Sequence, residues 1–64
     1  MLEIGQKIKW RPNRKSEKQA IRNHGPVWII EGIGIINGTR DICIRSINHE
    51  DVRWINPEQV IENG

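Results

Sequence analysis

Apolar and polar residues alternate with a period of two through several short stretches of the chain. In Lys7-Ile8-Lys9-Trp10 the apolar pair sits on one side and the lysines on the other, the pattern of a half-buried strand. Pro12 ends it. Val27 to Ile36 reads as a second strand with large apolar residues on both faces: Val27, Ile29, Ile33 and Ile35 against Trp28, Ile30 and Ile36. Gly32 and Gly34 inside it predict a bulge or a sharp bend. Asn37-Gly38 then predicts a tight hairpin, because a type I′ turn needs positive φ at both central positions. The return strand runs from Thr39 to Ile47, with Ile42 and Ile44 on one face. A polar turn, Asn48 to Asp51, leads to a short strand, Val52 to Ile55, with Val52 and Trp54 on one face. Asn56-Pro57 opens one helical turn, Pro57 to Gln59, and Val60-Ile61 is a last short strand.

Arg11 to Pro26 has no strand character. Ser16 is placed to cap a short helix, with Gln19 completing a capping box, and Gly25-Pro26 would stop it. One or two helical turns in a long loop, or no fixed structure, both fit this segment. Composition favours strands elsewhere: the chain has thirteen isoleucines but one alanine and one leucine.

The strand and turn pattern is similar to the Src-homology-3-like barrel. The residues that carry the likeness are Gly5-Gln6-Lys7-Ile8-Lys9-Trp10, Trp28 to Gly34, the Asn37-Gly38 hairpin, and Asn56-Pro57-Glu58-Gln59-Val60. The resemblance implies an all-β, five-stranded small barrel over residues 1–64, with a long basic first loop and a short helical turn before the last strand. Barrels of this kind that bind proline-rich peptides use tyrosine-lined grooves and an acidic first loop. This chain has no Tyr or Phe and its loop is basic, so that role is not carried over. Val52-Arg53-Trp54-Ile55-Asn56-Pro57 also looks similar to a strand of the type II dihydrofolate reductases, but their Gln-Ile-Tyr core is missing, so no catalysis is carried over.

A chain of 64 residues makes one domain and is marginally stable on its own core. Cys43 is the only cysteine, so no intrachain disulfide staples it, and an unpaired thiol suits a reducing, cytoplasmic setting. No stretch approaches the roughly 20 apolar residues that span a bilayer, so no membrane role is expected. Two histidines and one cysteine do not make a metal site. Gly32-Ile33-Gly34 lies within a strand and lacks a third glycine, so no nucleotide cofactor is expected. Cys43, Ser16 and Ser46 are the available nucleophiles, with His24 and His49 as bases. They form no catalytic constellation in sequence, and the chain reads as a non-enzyme with no catalytic residues.

Charge changes the picture most. Residues 1–25 hold seven cations, Lys7, Lys9, Arg11, Arg14, Lys15, Lys18 and Arg22, against Glu3 and Glu17, whereas residues 26–64 are net negative. Such polarity points the basic third at an anionic partner, and a phosphate backbone, DNA or RNA, is the leading expectation. With no base-reading helix, binding would depend little on base sequence. The alternative is a protein-interaction or inhibitor module that sets the basic loop against an acidic protein. The compact, solitary format suggests a phage or prophage accessory gene. Trp10 and Trp54 fall on apolar strand faces and are expected in the core. Trp28 and Ile30, on a strand apolar on both faces, are expected at a partner or homodimer interface.

Overall fold

The computed structural model describes residues 2–61. They form β1 (Lys7–Trp10), α1 (Lys15–His24), β2 (Trp28–Ile36), β3 (Thr39–Ser46), β4 (Val52–Ile55), a 3-10 turn (Pro57–Gln59) and β5 (Val60–Ile61). All five strands are antiparallel and form one sheet in the order β4-β3-β2-β1-β5. The all-β, five-stranded architecture and the helical turn before the last strand match the sequence pattern. The sheet does not close into a barrel. β4 and β5 are its edges, and the two residues of β5 pair only with Trp10 and Lys9 of β1. No helix among the described residues is long and apolar enough to cross a membrane.

The β2–β3 hairpin turns at Asn37 (φ 52°) and Gly38 (φ 78°), the two positive φ values a type I′ turn requires. Its register contains one irregularity: Ile30 faces Ile44, but Gly32 faces Cys43, which leaves Glu31 as an extra residue. Paired residues share a face of the sheet. Before the bulge, Trp28 and Ile30 lie beside Ser46 and Ile44; after it, Ile33 lies beside Ile42. Ile42 and Ile44 are both fully buried. The bulge therefore keeps Ile33 on the same side of the sheet as Trp28 and Ile30, although at that end of the strand it is 42% exposed.

This corrects the interface expectation for β2. Trp28 and Ile30 are 0% exposed, enclosed by Ile8, Trp10, Ala20, Ile42, Ile44 and Ile55. Neither offers a surface to a second molecule while the fold is intact. Trp28 is held from two directions. Its indole Nε1–H donates to the Gly25 carbonyl at 2.9 Å, and its ring meets Trp10 edge to face at 5.4 Å. Such aromatic pairs add about 0.5–1.5 kcal/mol beyond burial.

The segment expected to be a loop with at most two helical turns is a ten-residue helix. Its cap is not Ser16–Gln19. Glu17 instead accepts hydrogen bonds from the backbone N–H of Asn13 (2.7 Å) and Arg14 (3.2 Å), which starts the helix two residues earlier. Gly25, at φ 90°, ends it and donates to the Ile21 carbonyl. The helix packs through Ala20 and Ile21 against the core face of the sheet. At its far end His24 stacks edge-on against Trp28 and contacts Asn48 at 3.1 Å.

Gln59 fastens the start of the helix to the 3-10 turn. Its Nε2 donates to the Arg11 carbonyl (2.9 Å) and to Glu17 (3.2 Å), while its Oε1 accepts from the Asn56 N–H (3.0 Å). Ser46 plays the matching part in the β3–β4 connection. Its fully buried hydroxyl donates to Asn48 Oδ1 (2.6 Å) and accepts from the backbone N–H groups of Glu50 (3.1 Å) and Asp51 (3.0 Å). Replacing Ser46 with alanine would deprive the Asp51 N–H of its acceptor, while the Glu50 N–H keeps Asn48 Oδ1 at 3.1 Å. Ser46→Ala should cost about 1–3 kcal/mol in a urea unfolding experiment, with the slope of the transition unchanged.

Candidate nucleic-acid interface

A helix of 3.6 residues per turn sets Lys15, Lys18 and Arg22 within about 60° of one another. Glu17, Ala20 and His24, which hold α1 to the rest of the molecule, fall on the opposite side, with Ile21 at the border between the two. All three cations are exposed, as are Arg11 and Arg14 just before the helix. Among the described residues none of the five side chains makes an ion pair. Like charges at three- and four-residue spacing oppose helix formation by about 0.2–0.5 kcal/mol per pair. Lys15 also opposes the positive end of the helix dipole. Arg22, in the last turn, is favourably placed for the dipole, so the cost falls on Lys15 and Lys18 at the start of the row.

Two of the three later arginines differ. Arg45 forms an ion pair with Glu31, the bulge residue, and Arg53 pairs with Asp51 at 3.2 Å. The hydrogen bond from Arg45 holds the Glu31 carboxyl below the usual carboxylate range. Burial pushes the Cys43 thiol above its ordinary value, which leaves it a poor nucleophile.

The seven cations of the first third do not share one face. Lys7 and Lys9 alternate with the buried Ile8 and Trp10, so they project from the side of the sheet opposite α1. Lys7 lies beside Ile29 and Lys9 beside Ile61. Arg11, Arg14, Lys15, Lys18 and Arg22 stay together on and around the helix.

Trp54 was expected in the core and is instead 52% exposed. The register of β4 explains it. Ile55 pairs with Ile42 and takes the core position, and Trp54 pairs with Cys43 on the outer face. There the ring lies over Gly34, its Cη2 and Cζ3 atoms 3.6 Å from where a β-carbon would stand. Trp54, Ile55 and Asn56 form one wall of a cleft of about 290 Å³, with Asp41 beside them. Asn13, Arg14, Glu17 and Gln59 complete it. The sequence pattern puts Val52 and Trp54 on the core face, and the pairing across the sheet puts Ile55 there instead. Asn13 was legible as a hydrogen-bonding neighbour of the cations, but its proximity to Trp54 was not.

Comparison with protein-family models, curated proteins and solved structures gave no match.

Trp10 and Trp28 are 4% and 0% exposed, so Trp54 is the one tryptophan that solvent reaches freely. Acrylamide should quench the wild-type emission in two populations. Trp54→Phe should remove the readily quenched one and leave the shielded one intact.

Proposed function

We propose that this chain is a non-enzymatic module that binds nucleic-acid backbone through α1. The observation that carries the reading is the exposed, unneutralised row Lys15, Lys18 and Arg22, continued by Arg14 and Arg11, on the face of the helix turned away from the sheet. Phosphates along a strand match such a row, and each contact formed releases condensed counterions. Lysine and arginine side chains on one regular helix keep their spacing, whereas cations on a loose loop would have to be ordered on binding. Lys7 and Lys9 project from the outer face of the sheet, apart from the helix row and on the face that carries Trp54, and would add long-range attraction. The strand order and turn chemistry support classing the fold as an unclosed relative of the Src-homology-3-like barrel. A reducing, cytoplasmic setting suits both the free Cys43 and a nucleic-acid partner.

A second reading, a protein partner or a second copy of the chain, draws support from the β2–β3 hairpin. Ile33, Ile35 and Ile36 are all exposed there, Ile35 by 74%. These residues lie beyond the core and replace Trp28 and Ile30 as the apolar contact. If the hairpin drives self-association, Ile35→Lys should shift a concentration-dependent sedimentation profile toward the monomer, whereas a wild-type chain that stays monomeric at high concentration excludes it.

Reversing charge at Arg14, Lys15, Lys18 and Arg22 together should abolish binding to generic DNA and RNA at low salt. Each position is exposed, so the fold should hold, with changes of no more than about 0.5 kcal/mol apiece. In a fluorescence-anisotropy titration, each single replacement by alanine should lower the slope of log affinity against log salt by about 1. Wild-type protein that binds neither nucleic acid at low salt would falsify the reading.

A further inference from the structure

The cleft beside the basic row has the parts of a nucleotide site. Trp54 offers an exposed aromatic face, held against the backbone at Gly34, where the missing side chain leaves room for the ring. Arg14, exposed and immediately before Lys15 in the row along α1, lines the same cleft. Asn13, Asn56 and Asp41 supply amides and a carboxylate to the same space. Glu17 also lines it, but that carboxylate is already committed to the Asn13 and Arg14 N–H groups and to Gln59.

We infer that the chain binds single-stranded nucleic acid in preference to duplex, with one unpaired base stacked on Trp54 and the adjoining phosphates following Arg14 onto Lys15, Lys18 and Arg22. This rests on the backbone-binding reading above and names the form of nucleic acid it takes. The argument is one of complementarity. A backbone row alone serves duplex and single strand alike, because both present phosphates. An exposed aromatic ring beside a cleft serves a base that has left its stack, since the faces of paired bases are covered by their neighbours. Exposing a tryptophan to water also sacrifices the burial that would otherwise favour the core. Asp41 can accept a hydrogen bond from an exocyclic amino group, and Asn13 and Asn56 can each donate and accept at a base edge. The phosphate belongs on the Arg14 side, away from Asp41, because the carboxylate would repel it.

The test uses the intact chain and a labelled oligonucleotide without self-complementarity, alone and annealed to its complement. A ribo-oligomer of the same sequence is run in parallel. Wild-type protein should bind the single strand more tightly than the duplex. Trp54→Ala should lower single-strand affinity about five- to hundredfold, the range for loss of one base–aromatic stack, while duplex affinity changes by less than about twofold. Trp54→Phe should retain most of the single-strand affinity, because a flat ring remains. Tryptophan emission should fall on binding in the wild type and stay constant in Trp54→Phe. Circular dichroism of both variants should match wild type, as Trp54 lies outside the core.

Equal affinity for single strand and duplex, or an alanine variant that binds the single strand as well as wild type in both the deoxy and ribo forms, overturns this inference while the backbone-binding reading stands. Binding to no nucleic acid at all overturns both.

Discussion

One extra residue in β2 decides which parts of the sheet face inward. With Glu31 left out of the ladder, Trp28, Ile30 and Ile33 line up beside Ser46, Ile44 and Ile42 on one side. Without that slip, the residues after Gly32 would change faces, since a one-residue shift in a period-two structure inverts every later side chain. Ile33 would then leave Ile42 and the core face. The bulge also sends Gly32 and Gly34 to the outer face, opposite Cys43 and Asp41. That pairing gives Trp54 a bed with no side chain beneath it, so the irregularity that sets which side of β2 faces inward also shapes the candidate site. The Glu31 side chain, turned outward at the bulge, neutralises Arg45.

The rest of the molecule is tied to this sheet at two polar joints. Gln59 uses its carbonyl and both amide hydrogens to hold the 3-10 turn, the chain after β1 and the start of α1 together. Ser46 organises the β3–β4 connection, against which His24 rests at the other end of the helix. Between them Ala20 meets the core through a small side chain, which lets the helix approach closely. A helix held at both ends presents its outer row of cations at fixed spacing. It also brings Arg14 to the edge strand that carries Trp54. A chain of this size has little apolar surface to bury, so buried polar groups that are fully hydrogen-bonded specify much of its geometry.

Most of the local elements were legible from residue type. Lys7 to Trp10, the Asn37-Gly38 hairpin, Val52 to Ile55 and the Pro57 turn each carry their own signal, because alternation, positive φ and a proline-started turn are chemistry of near neighbours. So is the accumulation of cations before residue 25. The helix was harder to read, because Glu17 caps it by accepting from Asn13 and Arg14, residues without the usual capping pattern. Its stability also draws on Gln59, which is 42 residues away from Glu17.

Which face of a strand is buried was settled only by the tertiary structure. Alternation tells which residues of a strand travel together, but the choice of inside and outside comes from pairing with neighbours. In β4 the pattern put Val52 and Trp54 inward, and pairing of Ile55 with Ile42 reversed it. In β2 pairing with Ser46 and Ile44 turned Trp28 and Ile30 from interface to core. The division of the basic third between the two sides of the sheet has the same origin. By itself the sequence determined where strands, turns and charges lie along the chain, since those depend on local chemistry. The convergence of Arg14, Asp41 and Trp54 on one cleft depends on register and helix docking, which are set by contacts between residues far apart in the chain.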